Sequence, residues 1–181
     1  MKRLLFMAGL MLFLPLVASA QDTPKAEVFG GYSYLRVDGQ GGPGENLNGW
    51  NGSVVGNLNK WLGIKADFSG NYGNQTILGL KLHDSVHSYT FGPQISFRKS
   101  EKVTPFVHAL FGGAHFRSSF LGVTVTDNAF AMFLGGGVDF KVSKSFAIRV
   151  VQADYNLDRV NGSSLNNFRF STGVVFRLGS K

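Results

Sequence analysis

Alternation with a period of two dominates this chain. Over segments of about ten to thirteen residues, large apolar side chains occupy every second position, and helical spacing is nearly absent. Trp50, Gly52, Val54, Gly56 and Leu58 alternate with Asn51, Ser53, Val55, Asn57 and Asn59. Leu62, Ile64, Ala66, Phe68 and Tyr72 alternate with Gly63, Lys65, Asp67, Ser69 and Asn71. Tyr89, Phe91, Pro93, Ile95 and Phe97 are set against Ser88, Thr90, Gly92, Gln94, Ser96 and Arg98. Phe130, Met132, Leu134, Val138 and Phe140 are set against Ala129, Ala131, Phe133, Gly135, Gly137, Asp139 and Lys141. Phe168, Phe170, Val174, Phe176 and Leu178 are set against Asn167, Arg169, Ser171, Gly173, Val175 and Arg177. Neighbouring side chains of a strand point to opposite faces, so these segments read as β-strands. Less regular segments near 25–36, 103–117 and 146–157 bring the number to eight. In 103–117 the phase stays open, because Phe106, Leu110 and Phe116 share a face with His108.

Two kinds of barrel carry such strands. In a soluble one the apolar face points inward. A lipocalin-like binder of that kind would hold Phe68, Phe91 and Phe170 inside. In a membrane barrel the pattern is inverted, with large apolar residues toward lipid and small or polar ones in the lumen. Residue size favours inversion. One face carries Phe, Tyr, Leu and Val, and the other carries Gly, Ser, Asn and charges of both signs, which suit the narrow interior of eight strands. Charged residues make up only 16% of the chain, against about a quarter in ordinary soluble domains. Connections near 59–61, 99–102 and 142–144 are short, whereas those near 37–47, 73–86, 118–128 and 158–166 are long. Outer-membrane barrels alternate in this way between short periplasmic turns and long outer loops. With strand one starting on the periplasmic side, Tyr34, Trp50, Tyr72, Tyr89 and Tyr155 fall toward the outer ends of their strands. Trp61, Phe97, Phe140 and Phe176 fall toward the periplasmic ends. These are two aromatic girdles at headgroup level.

The first twenty residues stand apart. Lys2 and Arg3 precede an apolar run over 4–17, and Ala18-Ser19-Ala20 is a small-x-small cleavage pattern. The division expected is a signal peptide over 1–20 and one outer-membrane barrel domain over 21–181. The chain has no Cys, so neither disulfides nor thiolate metal sites are open to it. Its net charge of +7 is compatible with nucleic acid or an anionic membrane surface. Export and the lack of a basic helix or stacking platform argue against nucleic acid.

The chain resembles the outer-membrane β-barrel family typified by the OmpA transmembrane domain. The carriers are Val28-Phe29-Gly30-Gly31-Tyr32-Ser33-Tyr34, Pro105-Phe106-Val107-His108-Ala109-Leu110-Phe111-Gly112-Gly113, Asp154-Tyr155 and the last strand. That strand contains Ser171, Gly173, Phe176 and Leu178 in the spacing of the signal read by the barrel assembly machinery, although Gly179-Ser180-Lys181 follow where the family usually ends on an aromatic. The resemblance implies an eight-stranded antiparallel up-and-down transmembrane barrel in the outer membrane of a Gram-negative bacterium, in contact with outer-membrane lipids. Larger members add a peptidoglycan-binding domain, which is not expected here.

Four constellations are candidates for function. Glu27, Lys65, Asp67, Arg98, Asp139, Lys141, Asp154, Arg169 and Arg177 fall on the expected lumen face. A hairpin around Asn161-Gly162 puts Asp154 opposite Arg169, and barrel closure brings Glu27 to Arg177. Buried charges need partners, so these form a network that plugs the lumen; a gated, conducting lumen is the alternative. His83, His87, His108 and His115 raise the reading of a lipid A deacylase or acyltransferase, through His87 with Ser88 and Asp84-Ser85, or His115 with Ser118. Adjacent residues of a strand face opposite ways, which counts against His87 with Ser88. The runs Gly112-Gly113 and Gly135-Gly136-Gly137 lack the helix and Lys of a phosphate loop and read as packing positions. Lys60, Lys99, Lys102 and Lys144 in the short turns suit anionic headgroups or plain solvent equally. The expectation is therefore a monomeric, non-enzymatic barrel without cofactor or metal. Its role is structural or lies in surface interaction, with any extracellular ligand held at the long loops. The alternatives are a lipid-modifying enzyme, a narrow diffusion channel or a soluble binder.

Overall fold

The computed structural model describes residues 23–37, 44–77, 80–120, 123–160 and 163–179. The expected signal segment 1–20 and the Asn161-Gly162 turn lie outside these residues. Eight strands follow in order: β1 (Ala26–Val37), β2 (Glu45–Asn57), β3 (Leu62–Ile77), β4 (Leu80–Ser96), β5 (Val103–Phe120), β6 (Val123–Lys141), β7 (Phe146–Val160) and β8 (Ser163–Leu178). Each pairs antiparallel with its neighbours, and β8 returns to β1 to close the barrel. Among the described residues no helix is long and apolar enough to cross a membrane; the crossing elements are strands.

The barrel is inverted. Phe68, Phe91 and Phe170 are 42%, 52% and 45% exposed, so the soluble binder that would hold them inside is ruled out. Lys65, Asp67, Arg149, Asp154 and Arg169 are buried in the lumen instead. A belt of exposed apolar side chains this extensive marks a membrane surface.

One expectation needs correction and one open phase is resolved. The correction concerns the long loops. β3 runs to Ile77 and β4 starts at Leu80, β5 runs to Phe120 and β6 starts at Val123, and β7 runs to Val160 and β8 starts at Ser163. Three of the four long connections are thus continuations of hairpins. Their alternation is lost because both faces meet water outside the lipid, while backbone pairing goes on. Strands of 16 to 19 residues in β3, β4, β5, β6 and β8 exceed the roughly 9–11 needed to cross a bilayer. The surplus projects. The β2–β3 ladder reaches Asn48 opposite Tyr72, but β3–β4 continues to Ile77 opposite Leu80, and β4–β5 to Leu82 opposite Phe120. On the far side the β6–β7 ladder begins only at Phe130 opposite Arg159. Among the described residues, 123–129 therefore pair with β5 alone. β3 to β6 rise above the rest of the barrel as a four-stranded sheet.

In β7, whose alternation is irregular in the sequence, a bulge sets the phase. Its register shifts between Arg149 and Gln152, and Val150 and Val151 both face outward. This bulge reverses the phase: Ala147 and Arg149 point inward below it, and Gln152, Asp154, Asn156 and Asp158 above it. No single alternation can describe such a strand.

Candidate functional site

The lumen is filled in layers. Toward the outer mouth, Leu35, Leu47, Val86, Ala114, Ala129 and Ala131 form an apolar cluster. At mid-height lies a charged network. A smaller apolar layer of Phe29, Ala147 and Val175 follows, and Glu27, Asn57, Arg98 and Arg177 occupy the end near the short turns.

The mid-height network balances three cations, Lys65, Arg149 and Arg169, against three carboxylates, Asp67, Asp139 and Asp154. Arg169 is its centre. Its Nη1 lies 2.8 Å from Asp67 Oδ1 and its Nη2 2.7 Å from Asp154 Oδ2. Asp154 faces Arg169 across the β7–β8 ladder, whereas Asp67 reaches it from β3. Lys65 Nζ sits 3.2 Å from Asp67 Oδ2 and donates to Gln152 Oε1 at 3.2 Å. Arg149 holds Asp139 with two bonds, Nε to Oδ1 at 2.8 Å and Nη2 to Oδ2 at 3.0 Å. A bidentate, charge-assisted pair of this kind is among the stronger protein hydrogen bonds. The bonds of Lys65 to Gln152 and of Arg169 to Asp67 link β3 with β7 and β8, neither of which neighbours β3, so they brace the barrel across its bore.

At the lower end Arg98 donates to both oxygens of Glu27, at 3.2 and 2.8 Å. Arg177, directly opposite Glu27 in the β1–β8 ladder, approaches it only to 3.5 Å. Arg98 rather than Arg177 is thus the tighter partner of Glu27. Lys141 lies opposite Ala147 at the turn end of β6, and no ion pair joins it to a described residue.

Sequence reasoning missed several members. Arg149 was hidden by the bulge. His108, whose phase was open, lies in the lumen with Nε2 2.8 Å from Asp154 Oδ1. Three phenylalanines also face inward: Phe133, on the face that the alternation gives it, and Phe29 and Phe106, from segments without a settled phase. Arg149 is sandwiched between Phe29 and Phe106, at 4.3 and 4.4 Å from the ring centroids, and Arg169 lies 4.4 Å over Phe133. Guanidinium faces are poorly hydrated and stack on aromatic rings, so these phenylalanines cover the charges that carboxylates bind at the edges. The glycine run makes room for this layer: a Cβ at Gly137 would lie 2.8 Å from Phe106 Cζ, and one at Gly135 would collide with Asp154.

The candidate girdle residues all face outward, and Trp50, Trp61, Tyr72, Tyr89, Phe97, Phe140 and Phe176 are exposed. Trp61, Phe97, Phe140 and Phe176 lie close to the short-turn ends, and Tyr34, Trp50, Tyr72 and Tyr155 nearer the projecting ends. Tyr89 departs from this. With β4 starting at Leu80, it stands near mid-strand. In the last strand Ser171 faces inward, and Phe176 and Leu178 face outward, with Phe176 packed edge-on against Phe146 at 5.6 Å.

Of the acyl-transfer candidates, Asp84, Ser85 and His87 line one outer cavity, but His87 is hydrogen-bonded to Tyr72 rather than to a serine or a carboxylate. His87 points outward and interacts with Tyr72, while Ser88 is buried inside. His115 faces outward to Asn128, with Ser118 on the opposite face of β5. His108 and Asp154, which pair with each other, are buried in the lumen. Among the described residues no group of His, Asp or Glu is placed to hold a metal ion.

A closed eight-stranded barrel with an apolar exterior and a charge-paired interior is a transmembrane barrel of the outer-membrane kind. The family model of the outer membrane protein beta-barrel domain matches residues 5–177, and the chain belongs to that family. The protein is accordingly located in the outer membrane, in contact with its lipids. Solved structures of low identity share the fold. Ail, the attachment invasion locus protein of Yersinia pestis, is 21% identical with a TM-score of 0.61, over 85% of this chain and 99% of its own. Neisserial surface protein A is 13% identical with a TM-score of 0.72, over 85% of this chain and 97% of its own. The N-terminal barrel of Pseudomonas aeruginosa OprF is 12% identical with a TM-score of 0.53, over 86% and 98%. No protein with a curated description matches the sequence.

Proposed function

We propose that this is a non-enzymatic, monomeric surface barrel whose lumen is closed by its own side chains and whose working part is the projecting sheet. One observation carries the closed lumen. Arg149, Arg169, Lys65, Gln94 and Gln152 are among the largest fully buried side chains, and the bonds of Lys65 to Gln152 and of Arg169 to Asp67 cross between β3 and β7 or β8. An ion entering from the outer side meets the apolar cluster first and the neutralised charges next. The projecting sheet supports a surface role. Residues 124–128 are exposed, and residues 123–129 leave one edge of β6 without a strand partner among the described residues. An edge of this kind accepts an added strand through its main chain. A surface role is also in keeping with Ail, which has been crystallised with the heparin analogue sucrose octasulfate. In this reading the leader over 1–20 is removed on export, and the assembly machinery reads Ser171, Gly173, Phe176 and Leu178. Planar-bilayer recording of the folded protein tests the closed lumen. Silence is expected; discrete conductance steps from the unmodified protein would refute it.

A further inference from the structure

The outer wall of the projecting sheet carries a polar cavity that the closed lumen and the free edge do not use. Cross-strand rows define it. Phe68, Tyr89 and Gly113 form one outward-facing row. The next row contains Gly70, His87, His115 and Asn128, and the one after it Tyr72, Ser85, Arg117 and Thr126. His83 and Ser119 follow, opposite each other. Rows two residues apart are separated by about 7 Å along the strand. The cavity of about 480 Å³ is lined by Tyr72, His83, Asp84, His87, His115 and Arg117, with small residues between them.

Two contacts orient its donors. The Tyr72 hydroxyl lies 3.1 Å from His87 Nε2, with the rings edge-to-face at 5.5 Å. If the hydroxyl donates, the His87 proton sits on Nδ1. His115 Nδ1 is 2.9 Å from Asn128 Oδ1, an acceptor, so that nitrogen carries the ring proton. The charged and titratable lining comprises Tyr72 from β3, His83, Asp84 and His87 from β4, and His115 and Arg117 from β5; β6 adds only the neutral Asn128 and Thr126 to these rows. The imidazoles and the Arg117 guanidinium supply hydrogen-bond donors to the cavity, and Asp84 is the carboxylate of its lining.

We infer that this cavity binds the phosphate monoester of a lipid headgroup lying beside the barrel. Position favours a lipid over a soluble anion. The cavity opens sideways, on the same face as Phe68 and Phe91, beside Tyr72, and its lowest row, Gly70 and His87, is level with Trp50. Aromatic side chains with a polar end mark the headgroup level. A bound phosphate would face the membrane surface, with donors from two strands and the Arg117 guanidinium converging on it.

The test uses the folded full chain in dodecylmaltoside, with native mass spectrometry counting bound lipid. The probes are phosphatidic acid, phosphatidylcholine and inorganic phosphate. Phosphatidic acid is expected to be retained and phosphatidylcholine to be lost. The double variant His87→Gln/His115→Gln is expected to weaken retention of phosphatidic acid about tenfold, the size of one charge-assisted contact. Its heat-dependent gel mobility verifies folding, and Arg117→Gln, which leaves both histidines in place, is expected to weaken retention as well. Lys60→Gln/Lys144→Gln, in the short turns, is expected to change nothing. Equal retention of both lipids, indifference to the two histidines, or loss in the lysine variant would overturn the inference. Inorganic phosphate binding as tightly as phosphatidic acid would overturn the lipid as its source.

Discussion

Replacing Asp154 by Asn tests the cross-braced lumen most directly. Asp154 accepts four hydrogen bonds, from Arg169 Nε and Nη2, Gln152 Nε2 and His108 Nε2, all within 3.0 Å. The amide keeps the shape and removes the charge, so the three cations at mid-height face two carboxylates. Breaking a buried pair from one side costs about 3–5 kcal/mol. Arg169 retains Asp67 at 2.8 Å, which places the loss near the low end, about 3 kcal/mol. At roughly 2–4 °C per kcal/mol for a domain of this size, the unfolding midpoint should fall by about 6–12 °C. The assay is the temperature at which half the folded band converts to the unfolded one on a gel, repeated as a urea titration in detergent. Adding Arg169→Gln removes the other partner and should restore at least half of the loss, because no unmatched charge then remains between those two positions. A shift below about 2 °C for Asp154→Asn, or a double variant as poor as the sum of the singles, would refute the reasoning.

The remaining predictions concern the outer wall and the leader. A Cβ on Gly113 would lie 2.5 Å from the Tyr89 hydroxyl oxygen and 2.6 Å from Cζ, so Gly113→Val should displace that ring and lower stability by about 1–3 kcal/mol in urea. Gly56 has nothing within 4 Å of its Cβ position, so Gly56→Ala should be tolerated; equal effects at the two sites would contradict the packing argument. Intact mass and N-terminal sequencing of protein from membranes should give a chain beginning at Gln21. A chain retaining Met1 would refute cleavage after Ala20.

Which parts were legible in the sequence follows from where each residue sits relative to lipid. Between lipid and lumen the two faces of a strand differ in kind, so β3 and β8 could be assigned residue by residue, and Asp154 could be set opposite Arg169. Above the lipid both faces meet water. Residues such as His83, Asp84 and Thr126 carry no period, and paired strands there look like loops. The β7 bulge hid Arg149 for another reason, since one extra residue inverts the parity on which the reading depends. Phe133 falls on the inner face by alternation alone, whereas Phe29 and Phe106 lie in segments whose phase the pattern leaves open. In a lumen rich in arginine, an aromatic face is a partner for charge as much as a surface for lipid.

The projecting sheet has a consequence for how anything would meet this surface. Its strands stay in register with the barrel wall, so it moves as a plate fixed at its base rather than as separate flexible arms. The conformational freedom that a partner must ordinarily freeze on contact has already been removed during folding. A plate of this kind discriminates by shape and angle of approach: it favours a partner whose own strand or headgroup fits as presented, and it has little capacity to adjust to one that does not.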